Sequence, residues 1–115
     1  MKKLLLVALL AIGAANAQDE TAVIAEAKSK VSMKMKDPDS AQFRDIVHVA
    51  PHGTLKTDLV CGWVNAKNSF GGYVGFRRFV TFGDSALIET GKGDVMDGLL
   101  ASVWAQCEQP TTKGE

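Results

Sequence analysis

From residue 19 to about residue 36 the apolar side chains Val23, Ile24, Ala27, Val31 and Met35 recur three and four positions apart, with Lys28, Lys30, Lys34 and Lys36 between them. That period predicts an amphipathic helix. Asp19, Glu20 and Glu26 stand toward its start and the lysines toward its end, the arrangement that suits the helix dipole. Asp37-Pro38 stops it, because proline lacks the N–H of the ladder and disfavours a helical residue before it. A further turn of helix is expected through Ala41 to Phe43.

The period then changes to two. Asp45 to Ala50 sets Val47 and Val49 on one side and Ile46 and His48 on the other, and Pro51-His52-Gly53 closes the segment as a turn. Leu59 to Ala66 places Leu59, Cys61 and Trp63 on one face and Val60, Gly62, Val64 and Ala66 on the other. Tyr73 to Phe82 reads as a longer strand, with Val74, Phe76, Val80 and Phe82 opposite Tyr73, Gly75 and Phe79. After a turn at Gly83-Asp84-Ser85, Ala86 to Thr90 is a short strand. These connections are too short for crossover helices, so the strands should pair antiparallel.

Period four returns at the end of the chain. Val95, Leu99, Val103 and Cys107 form a stripe that Met96, Leu100 and Trp104 widen, behind Asp94 as N-cap and Asp97 in the first turn. The expected architecture is therefore α-β-β-β(-β)-α: an α+β domain with a small antiparallel sheet of three or four strands and an amphipathic helix at each end. Residues 18–109 make up this single domain, and 110–115 form a polar, flexible tail.

Ahead of the domain, Lys2 and Lys3 precede the apolar run Leu4 to Gly13 and the small-x-small site Ala15-Asn16-Ala17. This is the pattern of a secretory signal peptide, residues 1–17, cleaved before Gln18. The run is shorter than the ~20 residues of a transmembrane helix, and no cysteine beside the site offers a lipid acceptor. The expected product is periplasmic or secreted, with no membrane anchor after cleavage. Charge changes little in this picture. The whole chain carries 13 basic and 13 acidic residues, and loss of Lys2 and Lys3 leaves 11 against 13. That balance lacks the electrostatic footprint of a nucleic-acid binder.

Cys61 and Cys107 are the only two cysteines. In an oxidising compartment their pairing as one disulfide is the economical reading, since neither has a Cys-x-x-Cys partner for redox chemistry. Pairing requires the last helix to cross the sheet face that bears Leu59, Cys61 and Trp63. His48 and His52 are four apart, but on a strand and in a turn, so no metal site is expected. No cofactor motif is present either.

The richest cluster of donors lies between the second and third predicted strands. Asn65, Lys67, Asn68, Ser69, Tyr73 and Arg77 form a candidate contact surface on a loop whose Gly71 and Gly72 permit positive φ. The same amides are suited to bond their own loop's backbone. Arg77 and Arg78, being consecutive, face opposite sides of a strand, so one of them crosses an apolar surface, either with its stem buried and its head solvated or paired with a carboxylate such as Asp45, Asp58 or Glu89.

The stretches Lys36-Asp37-Pro38-Asp39-Ser40-Ala41-Gln42-Phe43-Arg44 and Cys61-Gly62-Trp63-Val64-Asn65-Ala66-Lys67-Asn68-Ser69-Phe70-Gly71-Gly72-Tyr73-Val74-Gly75-Phe76 resemble the KDPxSAxFR and CGxVNAKNxxGGYxGF segments of a group of small exported bacterial proteins of unknown function. The resemblance covers about half the mature chain and implies export without implying a mechanism. Taken together, these features lead to the expectation of a disulfide-stabilised, non-enzymatic binding or inhibitory module of the bacterial envelope, its partner an envelope protein or a small polar ligand. Two alternatives stand beside it: a small periplasmic hydrolase or anion-dependent enzyme using His48, Ser69 and Arg77, and a structural subunit of an envelope assembly.

Overall fold

The computed structural model describes residues 20–108. The expected signal segment 1–17 and tail 110–115 lie outside the described residues. Within them, helix α1 covers 20–32. Strands β1 (Gln42–Val49), β2 (Leu59–Asn65), β3 (Arg77–Phe82) and β4 (Ser85–Ile88) follow, and helix α2 (Val95–Glu108) ends the described chain. The strands form one antiparallel sheet in the order β1-β2-β3-β4. The α+β expectation holds, with four strands and not three.

Alternation along the strands sorts the core into two layers, one under each helix. Ala27 and Val31 of α1 pack on Val60, Val64 and Phe79, with Phe43, Ile46, Ala86 and Ile88 around them. Leu100 of α2 packs on Leu59, Cys61, Val80 and Leu87, flanked by Val103, Trp104 and Cys107. The sheet is thus covered on both faces, which is why β2 and β3 are apolar on both sides. Cys61 and Cys107 are bonded, their Cα atoms 6.3 Å apart, and α2 lies on the face carrying Leu59 and Cys61.

Three local features depart from the periodicity. The helical turn expected at Ala41 to Phe43 is a 3-10 turn at Pro38–Ser40, and Ala41 is already extended at φ −61°, ψ 129°. Strand β1 then begins at Gln42, with a bulge between Arg44 and Val47. Asp45 sits there at φ 53°, and the extra residue restores Val47 and Val49 to the α2 face. The long strand expected from Tyr73 shortens to Arg77–Phe82. Gly75, at φ 104°, breaks it, and its N–H leaves the ladder for the Asn65 side chain at 3.0 Å.

A tight approach sits at the centre of the α1 layer. Phe79 is fully buried and meets Phe43 edge-on, ring centroids 5.7 Å apart. Its ring lies over Gly62, where an added Cβ would come within 2.9 Å of it. Glycine is used here for space.

Candidate functional site

Helices and sheet bring the chemistry to the end of the sheet where β2 finishes and β3 begins. The connecting segment 66–76 is a loop built by its own amides. Asn68 Oδ1 accepts from the N–H groups of Phe70 (2.9 Å) and Gly72 (3.1 Å), and the Asn68 N–H donates to the Gly72 carbonyl. Ser40 ties this loop to the 3-10 turn. Its hydroxyl donates to the Asp37 carbonyl at 2.7 Å and accepts from the Lys67 N–H at 2.8 Å, while the Tyr73 hydroxyl donates to the Ser40 carbonyl at 3.0 Å. Arg44 adds a cation–π contact, its guanidinium 4.2 Å from the Phe76 ring centroid. The two motif segments noted in the sequence are therefore joined in space, and their polar residues hold each other.

The six candidate contact residues share this end of the molecule and divide by what they touch. Asn65, Asn68 and Tyr73 give their bonds to the protein's own backbone, as does Arg77, whose Nη1 donates to the carbonyls of Glu89 and Thr90. Lys67 places its ammonium 5.7 Å from the Tyr73 ring centroid. Ser69 is exposed at the loop tip, beside Phe70, which is 96% exposed.

Beside the loop runs a groove of about 680 Å³. Its floor is apolar, made by Val64, Ala66, Val74, Ala86 and Ile88. Its rim carries Lys34, Lys36, Lys67, Arg77 and Lys92. The acid in its lining, Glu89, is taken: Arg78 Nη2 lies 3.0 Å from Glu89 Oε2, and this bond holds the Glu89 carboxyl below its usual range. The groove's volume falls within the range usual for ligand pockets, and its lining is mostly apolar with a few charged side chains.

One wall of the groove depends on Asp97. The N–H of Asp97 donates to Asp94 Oδ1 at 3.0 Å, the helix-capping bond the sequence suggests. The Asp97 carboxylate does more, accepting from the N–H groups of Thr90 (2.7 Å), Gly91 (3.0 Å) and Gly93 (2.9 Å) and from the Thr90 hydroxyl. These donors, the Thr90 N–H first among them, lower its pKa. A carboxyl that binds its proton less tightly folded than unfolded adds stability above its unfolded pKa, about 4, and loses it as pH falls through the lower folded value. Asp97 and Glu89 both act in this direction. Asp97→Asn is expected to lower the Tm at pH 7 by roughly 5 °C and to flatten the fall of Tm below pH 4. Thermal melts from pH 7 to pH 2.5 check both, and an unchanged acid limb would assign the acid sensitivity to other carboxylates.

The chain matches no family model, no curated protein and no solved structure. The site therefore rests on its own geometry.

The set His48, Ser69 and Arg77 is not brought together. His48 stands opposite Val60 and Arg77 opposite Val64, four residues along β2, or about 13 Å at the usual strand rise. His48 lies between Asp58 (Nε2 to Oδ1, 2.8 Å) and Glu20 (Nδ1 to Oε2, 3.4 Å). Among the described residues no group of three or more His, Cys, Asp or Glu is arranged to hold a metal ion. Residues that sequence reasoning missed are Phe70, Met96, Lys34, Lys36 and Lys92. Lys34 and Lys36 stand between the apolar positions of the first helical period and Lys92 between Gly91 and Gly93, and only the tertiary fold sets them around one cavity.

Proposed function

We propose that the protein is an exported, non-enzymatic binding or inhibitory module whose contact surface is this groove together with the Phe70-tipped loop. The observation that carries the reading is the groove itself: an apolar floor, a rim of five cationic side chains, and a lining acid already neutralised by Arg78. Export is supported by the signal-type sequence at residues 1–17 and is compatible with the Cys61–Cys107 bond. Among the described residues no helix is long and apolar enough to cross a membrane.

The loop's own hydrogen bonds sharpen the test. Phe70→Ser and Lys67→Ala remove exposed or rim side chains and leave the Asn68, Asn65 and Tyr73 bonds in place, so the Tm should stay within about 2 °C of wild type. Tagged protein and the double variant are compared by capture from the native envelope with quantitative mass spectrometry. Selective loss of a component from the fold-intact variant is the expected result. An identical captured set for both proteins would remove this surface as the contact region.

A further inference from the structure

The phase of hydrogen bonding along β4 says what kind of ligand the groove is built for. A two-residue turn, Gly83-Asp84, joins β3 to β4, and Phe82 pairs with Ser85 across it. In such a hairpin the closing pair exchanges hydrogen bonds, and residues alternate thereafter. The Glu89 N–H donating to the Arg78 carbonyl at 2.9 Å fixes the same phase. Ser85, Leu87 and Glu89 therefore turn their backbone groups inward to β3, and Ala86 and Ile88 turn theirs outward. β4 is an edge of the sheet, and among the described residues the outward N–H and C=O groups of Ala86 and Ile88 have no partner. Two residues on, the pattern ends: the Thr90 N–H is held by Asp97 and its carbonyl by Arg77.

This short unpaired edge lies inside the groove, whose lining includes every residue from Ala86 to Thr90. The groove is walled by Met35, beyond α1, and by Met96, in the first turn of α2. Because the two helices cover opposite faces of the sheet, a strand added beside β4 would enter a slot with an apolar wall on each face. It would also lie next to the apolar start of α2, where Val95 is 84% exposed and Met96 and Leu99 are each 47% exposed. Charge then selects the occupant. Two copies of this chain joined edge to edge would set lysine rims against each other, whereas an acidic segment would meet Lys34, Lys36, Lys67 and Lys92.

We infer that the groove binds an extended acidic peptide segment, which adds to β4 as a fifth strand through the backbone of Ala86 and Ile88. The inference rests on the binding-module reading above and names its ligand class. Main-chain bonds supply the pairing, alternate apolar side chains pack against one of the two walls, and the carboxylates between them, on the other face of the added strand, reach the lysine rim.

The probe is a short, capped, fluorescein-labelled peptide in which valine and glutamate alternate, followed by fluorescence anisotropy. A valine–lysine peptide and dodecanoate are run beside it. The decisive variant is Ala86→Pro: its lost N–H points away from β3, so the ladder stays complete, as proline on a strand edge requires. Expected results are saturable binding of the glutamate peptide, weakened by salt, none of the lysine peptide, and at least about tenfold weaker binding to Ala86→Pro with unchanged circular dichroism. Lys34→Glu with Lys92→Glu, both on the rim, should weaken binding comparably and keeps the test open should Ala86→Pro fail to fold. Dodecanoate binding that Ala86→Pro leaves intact, without peptide binding, would overturn strand addition while preserving the groove as a site. No binding of either probe would overturn both, and a doubled mass in solution would assign the edge to a second copy.

Discussion

Replacing Cys61 and Cys107 together by serine is expected to lower the free energy of unfolding by about 4 kcal/mol, the chain-entropy value for a cross-link between residues 46 apart. For a domain of this size that corresponds to a fall in Tm of roughly 15 °C or more. The reason lies in how α2 is held. Of its 14 residues only Leu100 is buried, while Val103, Trp104 and Cys107 are half-buried and Val95, Met96 and Leu99 face water. Packing of that extent is thin for a helix that covers one whole face of the sheet. The bond lies near the helix end, one turn beyond Val103, and fixes the end that packs while the N-terminal end is held by Asp94 and Asp97.

The pair Trp63 and Trp104, edge to face with centroids 5.7 Å apart, supplies the readout, since it joins β2 to α2 beside the bond. Urea titration of the double serine variant should show the tryptophan near-ultraviolet signal and the far-ultraviolet signal lost together, at a lower denaturant concentration than in the wild type. A single coincident transition at the wild-type midpoint would mean that Leu100, the Trp pair and the Arg78 contact to Trp104 hold the helix unaided.

How far the fold could be read beforehand follows from which interactions were local. The two helices, a sheet of three or four strands and the face on which Cys61 stands follow from period alone, because burial on two faces imposes it residue by residue. What period could not supply was the placement of breaks. The bulge at Asp45 shows only in the register of β1 against β2, and the start of β3 at Arg77 depends on a side chain, Asn65 accepting from the N–H of Gly75. The same applies to α2: its stripe is wider than the surface it covers, so the sequence alone could not tell Leu100, which is buried, from Leu99, which is not.

The candidate site was legible in part. The segment from Asn65 to Arg77 stands out as a loop of unusual composition, and its amides do bond the loop's own backbone. Its role as one wall of a groove was hidden, since the other walls come from Lys34 to Lys36, from β4 and from Met96, which lie far away along the chain. Residue type drew attention to hydrogen-bonding side chains. The features most open to a partner are instead an exposed ring at Phe70 and an unpaired stretch of backbone at Ala86 and Ile88, neither of which has a sequence signature.

Gly62→Val is expected to destabilise the protein by about 3 kcal/mol, through overpacking and without any change in backbone conformation. Gly62 does not sit at positive φ, so a branched residue can adopt its backbone angles, and loss of glycine's freedom in the unfolded chain favours the variant by about 0.4–1 kcal/mol. The obstacle is space. A Cβ at this position would lie 2.7 Å from Ile46 Cδ1 and 2.9 Å from Phe79 Cε2. The Ile46 atom is the tip of a flexible side chain and can move. The Phe79 ring cannot, being fully buried between β2 and α1 and braced edge-on by Phe43. Gly62→Ala should show the same sign at smaller size, about 1–2 kcal/mol. Ile46→Val removes the Cδ1 methyl and alone costs about 1 kcal/mol. Combined with Gly62→Ala it should cost less than the sum of the two, because the methyl it deletes is one of the two groups in the way. Strict additivity in urea unfolding would place the whole conflict at the Phe79 ring, and a stabilised Gly62→Ala would show that the ring shifts toward α1 at little cost.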